Sequence, residues 1–278
     1  VSRLDAAIKA FNQAGPQAVV CDGYAAKGVK EALYLAQYKK CAWCERRVDV
    51  ESQPIEHYRP KAGACRSERG VTPPDVDEER YWWLTWTWEN LLFACSRCND
   101  QGHKGNFFPL QPRSRPLPAP SRPIDKRGLS SQCFDLTRER PLLLDPAGED
   151  PLDSIRWVPV NRPTDRRAWT WMPRPFGPDR ARGRMTIEVL KLAALADDVQ
   201  HHLSRHVVPR LEQIEAQLGA GKLGPGRKAW RSLLDDVLDE RATLSAASWC
   251  AIEIWMPAAQ RERHGLDAPR RPGALAQR

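Results

Sequence analysis

The chain has 278 residues, 41% of them hydrophobic and 28% charged, which is enough to bury a core and slightly long for a single domain, so one or two domains are expected. Lys and Arg outnumber Asp and Glu by 43 to 35, and the resulting charge of +8 favours polyanionic partners without establishing them. No run approaches the ~18–20 apolar residues of a membrane span. Asp5, Lys9, Asp22, Lys27 and Lys30 interrupt any secretory leader core, so the expectation is a soluble cytoplasmic protein with no membrane partner.

In chain order, Leu4, Ile8 and Phe11 recur at three- and four-residue spacing and predict a helix, with a second over about 29–39. These form an N-terminal buttress over residues 1–35. The first of two Cys-x-x-Cys knuckles, Cys41-Ala-Trp-Cys44, follows, and the second is Cys95-Ser-Arg-Cys98. Two such knuckles in a reducing compartment read as a tetrahedral Cys₄ structural zinc site, against a redox pair or chance. The separation of the knuckles exceeds that of the commonest zinc ribbons, so the site staples a substantial insertion. Cys21, Cys65, Cys133 and Cys250 read as small core residues or bystanders.

Between the knuckles stand Ile55-Glu56-His57-Tyr58-Arg59-Pro60-Lys61 and then Trp82-Trp83-Leu84-Thr85-Trp86-Thr87-Trp88-Glu89-Asn90-Leu91-Leu92-Phe93. After the second knuckle the chain continues Asn99-Asp100-Gln101-Gly102-His103-Lys104. The four clustered tryptophans are read as core that wraps the staple, with base stacking as the alternative. The segment 111–127, with five prolines and five basic residues, reads as an extended loop bordering the active site. Residues 147–185 read as a Pro/Arg-rich connection. Residues 1–110 carry 15 basic and 14 acidic side chains, so the basic character lies downstream, in loops suited to grip a phosphate backbone or a protein partner. From Thr186 the spacing of Ile187, Leu190, Leu195, Val199, Leu203, Val207, Leu211, Ile214 and Leu218 predicts helices. A further helix is expected over about 228–255, then a frayed tail. The outline is α+β: a zinc-stapled core over 36–146 and a mainly helical region over 186–278.

The order of knuckle, acidic-His-x-x-Pro, Asn-Leu-Leu, knuckle-Asn and Lys resembles the zinc-stapled HNH endonucleases. Cys-Ala-Trp-Cys-Glu, Glu-His-Tyr-Arg-Pro-Lys, Trp-Glu-Asn-Leu-Leu, Phe108-Pro109-Leu110, Leu142-Leu143-Leu144-Asp145-Pro146 and Thr186-Ile187 narrow it to the PtuB-type nucleases of Septu and Septu-like retron anti-phage systems, over roughly residues 36–205. The resemblance implies a ββα-metal core in which His57 ends the first strand as general base. It implies that Glu56 is a ligand of a catalytic Mg²⁺ or Mn²⁺ and that Asn90 fixes the loop holding the base. The final His of the motif is replaced by Asn99 as second metal ligand, with His103 as the competing candidate. Lys104, Arg59 and Lys61 are expected at the nucleic acid. The implied function is phosphodiester hydrolysis, of DNA more than RNA, beside an ABC or SMC-like ATPase; the alternative is a non-catalytic zinc-stapled binding module.

Overall fold

The computed structural model describes residues 2–67, 74–79 and 81–273. Two compact units emerge: residues 1–43 with 48–147, and residues 44–47 with 148–277.

In the first unit, Ser2 opens helix α1 (Arg3–Ala14) with a capping box. Its hydroxyl accepts from the Asp5 N–H at 3.2 Å while the Asp5 carboxylate accepts from the Ser2 N–H at 3.2 Å. Helix α2 (Lys27–Ala36) ends where Tyr38 and Lys39 turn into left-handed backbone, which cannot continue a helix. The strands are short: β1 (Ile55–His57), β2 (Ala64–Cys65), β3 (Val76–Asp77) and β4 (Leu91–Phe93), followed by helices α3 (Ser96–Asn99) and α4 (Lys126–Cys133). Strands β1 and β4 pair antiparallel, with Ile55 opposite Phe93, Glu56 opposite Leu92 and His57 opposite Leu91.

Leu33 of α2 packs with Ile55, Leu91 and Phe93, and Tyr34, Val48, Val50 and Trp88 close around this cluster. A three-residue ladder has few hydrogen bonds of its own, and Gln37 compensates. Its amide donates to the Phe93 carbonyl and accepts from the Phe93 N–H, both at 2.8 Å, as a neighbouring strand would. The tryptophans settle mainly as core. Trp82 and Trp83 are buried, Trp82 lies 4.9 Å from the Phe11 ring, and the Trp83 indole donates to the Cys133 carbonyl. Trp86 is half-buried and donates to the Asp22 carbonyl.

In the second unit the expected connection contains a hairpin, β5 (Ile155–Asn161) with β6 (Thr170–Pro175). Ile155, Trp157 and Pro159 alternate inward, as do Trp171 and Pro173, giving the period of two that a half-buried strand requires. Pro159 has no N–H for the ladder, and the register slips there, between Pro159 and Asn161. Helices follow: α5 (Arg180–Val189), α6 (Ala196–His202), α7 (Val208–Gly219), α8 (Leu223–Val237), α9 (Ser245–Trp255) and α10 (Ala258–His264). The tail past Pro257 is therefore helical through His264, where fraying was expected. Its last residues, 274–278, lie outside the described part. Among the described residues no helix is long and apolar enough to cross a membrane.

Candidate metal centre and adjoining cleft

The four knuckle cysteines converge. The Sγ atoms of Cys41, Cys44, Cys95 and Cys98 all lie within 4.8 Å of one another, and all four residues are buried. Four buried thiols at that spacing suit a tetrahedral zinc ion, whose thiolate ligands sit at ~2.3 Å from the metal. The chemistry of the donor set fits zinc: buried thiolates without a cation would be strongly disfavoured.

Beside β1 opens a cleft of about 390 Å³ whose wall includes Glu56, His57, Lys61, Asn99 and Lys104. Strand β1 delivers Glu56 and His57, and α3 delivers Asn99 at its last residue. His103 is not among the lining residues. His103 stands four residues beyond Asn99 and would share its face only in a continuing helix, but α3 stops at Asn99. The Asp100 side chain accepts from the Gly102 N–H at 2.6 Å, and this local turn competes with helix continuation.

His57 is buried and its Nε2 lies 3.1 Å from the Thr85 carbonyl. Because a carbonyl only accepts, Nε2 carries the proton and Nδ1 is the acceptor nitrogen. Burial pulls the pKa of His57 down to about 3, opposed by the Thr85 bond, so the ring is neutral at neutral pH. Thr85 was not singled out from sequence; a backbone carbonyl leaves no residue-type signal.

Asn90, buried just before β4, clamps the chain after His57. Its Oδ1 accepts from the Arg59 N–H at 2.7 Å, and its Nδ2 donates to the carbonyls of Arg59 at 3.0 Å and Leu84 at 3.2 Å. The Tyr58 N–H donates to the Asn90 carbonyl at 2.9 Å. One side chain thus ties the loop leaving His57 to the segment that carries Thr85.

Two residues expected on nucleic acid are turned inward. The Arg59 guanidinium is buried and donates to Glu139 at 2.8 Å, because an unpaired buried charge would be too costly. Lys104 is fully buried. Its ammonium lies 2.6 Å from Glu56 Oε1 and donates to the carbonyls of His57 and Gly105, so its charge is engaged inside the chain. Burial lowers the pKa of Lys104 and raises that of Glu56, with their mutual attraction opposing both. Lys61 is half-buried, on the cleft wall, with its ammonium 4.8 Å from the Tyr24 ring centre. The 111–127 loop contributes nothing to the cleft lining and is anchored by buried Leu117 and Ile124. In the second unit Arg166, Arg167 and Arg182 pair with Glu215, Glu212 and Glu149, and Arg156 stacks on Phe176 and Trp249. These four arginines have partners within the chain.

Comparison with known proteins gives one informative match: Septu protein PtuB of Bacillus mycoides (strain KBAB4), 33% identical over 138 residues. The chain is related to Septu PtuB. The match takes in 49% of this chain and 40% of the PtuB chain, so less than half of that relative is represented. No family model matches, and no solved structure does.

The cleft's donor set also bears on a second, hard cation. Among the lining residues Glu56 carries a carboxylate and Asn99 a side-chain amide, and oxygen is the donor type Mg²⁺ and Mn²⁺ prefer. Glu56 would share its carboxylate between such a cation and Lys104.

Proposed function

We propose that this chain is a metal-dependent HNH-type nuclease that hydrolyses phosphodiester bonds of nucleic acid, DNA in the first instance. In this reading it serves as the nuclease component of a Septu anti-phage system beside an ABC or SMC-like ATPase. The observation that supports the chemistry best is the setting of His57. A neutral imidazole on a cleft wall is fixed through Nε2 by the Thr85 carbonyl and carried on a loop clamped by Asn90. The defence role rests on the relationship to PtuB.

In the proposed reaction His57 Nδ1 takes a proton from water as the water oxygen attacks phosphorus. The phosphorus–O3′ bond breaks, and the leaving oxygen takes up a proton from solvent. A low pKa keeps the imidazole ready as an acceptor, and the anionic phosphodiester beside it raises that pKa as the substrate binds. Glu56 and Asn99 would hold Mg²⁺ or Mn²⁺, which supplies charge neutralisation at the phosphate and at the leaving oxygen. Asn90 keeps the imidazole in line, and Lys61 presents positive charge at the cleft wall. Cys41, Cys44, Cys95 and Cys98 hold the zinc that ties the second knuckle, and hence Asn99, to the first.

The test is cleavage of plasmid, single-stranded DNA and RNA with Mg²⁺ or Mn²⁺, with and without the partner ATPase, comparing wild type with His57→Ala. Loss of a general base predicts a rate lower by about 10²–10⁴-fold with zinc content retained and the protein still folded. Equal cutting by His57→Ala overturns the assignment. Nucleic-acid binding without cutting in any condition, unaffected by His57→Ala and by removal of Mg²⁺, points instead to a binding module.

A further inference from the structure

We infer that the helical unit carries a second ligand site, a pocket for a small phosphate-bearing anion, in which Arg205, His206 and Arg210 are the recognition groups. The pocket has a volume of about 360 Å³ and is lined by His202, Arg205, His206, Arg210, Asp236 and Thr243, among others. That volume lies at the low end of the roughly 300–1,000 Å³ of small-molecule sites. It leaves room for a phosphate-bearing anion, and the charge of the lining decides which ligand fits.

The charge balance favours an anion. Asp236 is the one acidic residue on the lining, and it is paired with Arg210 at 2.8 Å. A second Arg210 nitrogen donates to the Ser232 hydroxyl at 3.1 Å. Neither the Arg205 guanidinium nor the His206 imidazole has a hydrogen bond or ion pair with any described residue. The His206 ring lies beside that of His202, with centroids 5.1 Å apart, and His202 is buried with Nε2 2.9 Å from the Ser248 hydroxyl. Arg205 therefore faces the pocket with an uncommitted fork of N–H donors, the geometry that matches phosphate oxygens. A metal site is disfavoured, because among the described residues the only close group of three or more potential ligands is the cysteine cluster.

The backbone there is specialised. Between α6 and α7 the chain forms a π-turn over Leu203–Val207, a device concentrated at functional sites. Its cause is legible in the sequence. Pro209 stands in the first turn of α7, and in a continuous α-helix its ring would clash with the carbonyl of Arg205 and leave a hydrogen bond unmade. Widening the turn over Leu203–Val207 relieves that conflict at Arg205 and His206, two of the residues that line the pocket.

The experiment is titration calorimetry of the full chain with pyrophosphate at low salt, without divalent metal, for wild type, Arg205→Ala/His206→Ala and Arg205→Lys. Wild type is expected to bind, the double variant to bind at least tenfold more weakly, and Arg205→Lys to fall between. Arg205 and His206 are exposed, so the melting temperature should be unchanged. A ten-nucleotide oligo(dT) added as competitor separates the sources of phosphate: displacement of pyrophosphate assigns the pocket to a nucleic-acid backbone, and no displacement assigns it to a free phosphate anion. Absence of pyrophosphate binding, or binding unaffected by either variant, overturns the proposal. Because the readout is binding without metal, failure here leaves the nuclease reading of the first cleft standing, and the reverse.

Discussion

Arg59 and Glu139 illustrate what burial does to a charge. The guanidinium donates to one Glu139 oxygen at 2.8 Å, while Tyr81 and the Leu117 N–H donate to the other. The carboxylate is fully buried and the guanidinium nearly so. Removing one member of such a pair leaves the other unpaired in a medium of low dielectric. Glu139→Ala is therefore expected to destabilise the fold by about 3–5 kcal/mol, measured by urea unfolding; a change below 1 kcal/mol would mean that water reaches Arg59. His202 gives a pH signature. Burial, reinforced by His206 and His201, lowers its pKa from 6.5 to about 4. Between those values the unfolded chain binds a proton that the folded chain refuses. The contribution of His202 to stability is thus complete above pH 6.5 and is lost as pH falls toward 4, with a span of about 3 kcal/mol. His202→Gln should flatten the slope of melting temperature against pH in that window, and an unaltered slope would show that other groups set it.

At the scale of elements, short pieces are held by specific packing more than by propensity. Gly183 in α5 is buried, and a Cβ there would stand 2.0 Å from the Ser154 carbonyl oxygen at the entrance to β5. Gly183→Ala pushes helix against backbone, which no rotamer change relieves, and should cost about 1–3 kcal/mol by thermal unfolding; neutrality would mean that the helix shifts freely. The elements legible in sequence were those with an uninterrupted period: α1 from Leu4, Ile8 and Phe11, and the long run from Val199 to Leu218. The β5–β6 hairpin was hidden because Pro159 and Pro173 occupy inward positions, and proline argues against a strand. The convergence of the four cysteines was legible because the Cys-x-x-Cys spacing directs two thiols to one point. The inward turn of Arg59 and Lys104 was not, since their partners, Glu139 and Glu56, are 80 and 48 positions away in the chain and no local pattern marks them.

At the scale of the molecule, the first unit has to fold around strands of two or three residues, and the region between the knuckles holds little regular structure among its described residues. Such a segment gains few regular backbone hydrogen bonds to offset the conformational entropy of ordering it, and packing and the knuckles must hold it. The cysteine cluster closes a loop of about fifty residues, and structural zinc contributes on the order of 10 kcal/mol in small zinc-binding peptides. Purified protein is expected to contain one zinc per chain, and a high-affinity chelator should release it together with a fall in melting temperature. Limited proteolysis would then cut between residues 44 and 95, sites protected in the zinc-loaded form. The helices α6 to α9 rest on buried apolar residues such as Val199, Leu211, Trp230 and Ile252, so their helical circular-dichroism signal should largely survive chelation. Release of zinc without any change in melting or in cleavage pattern would show that packing around Trp83, Phe93 and Tyr58, and not the metal, carries the fold of that region.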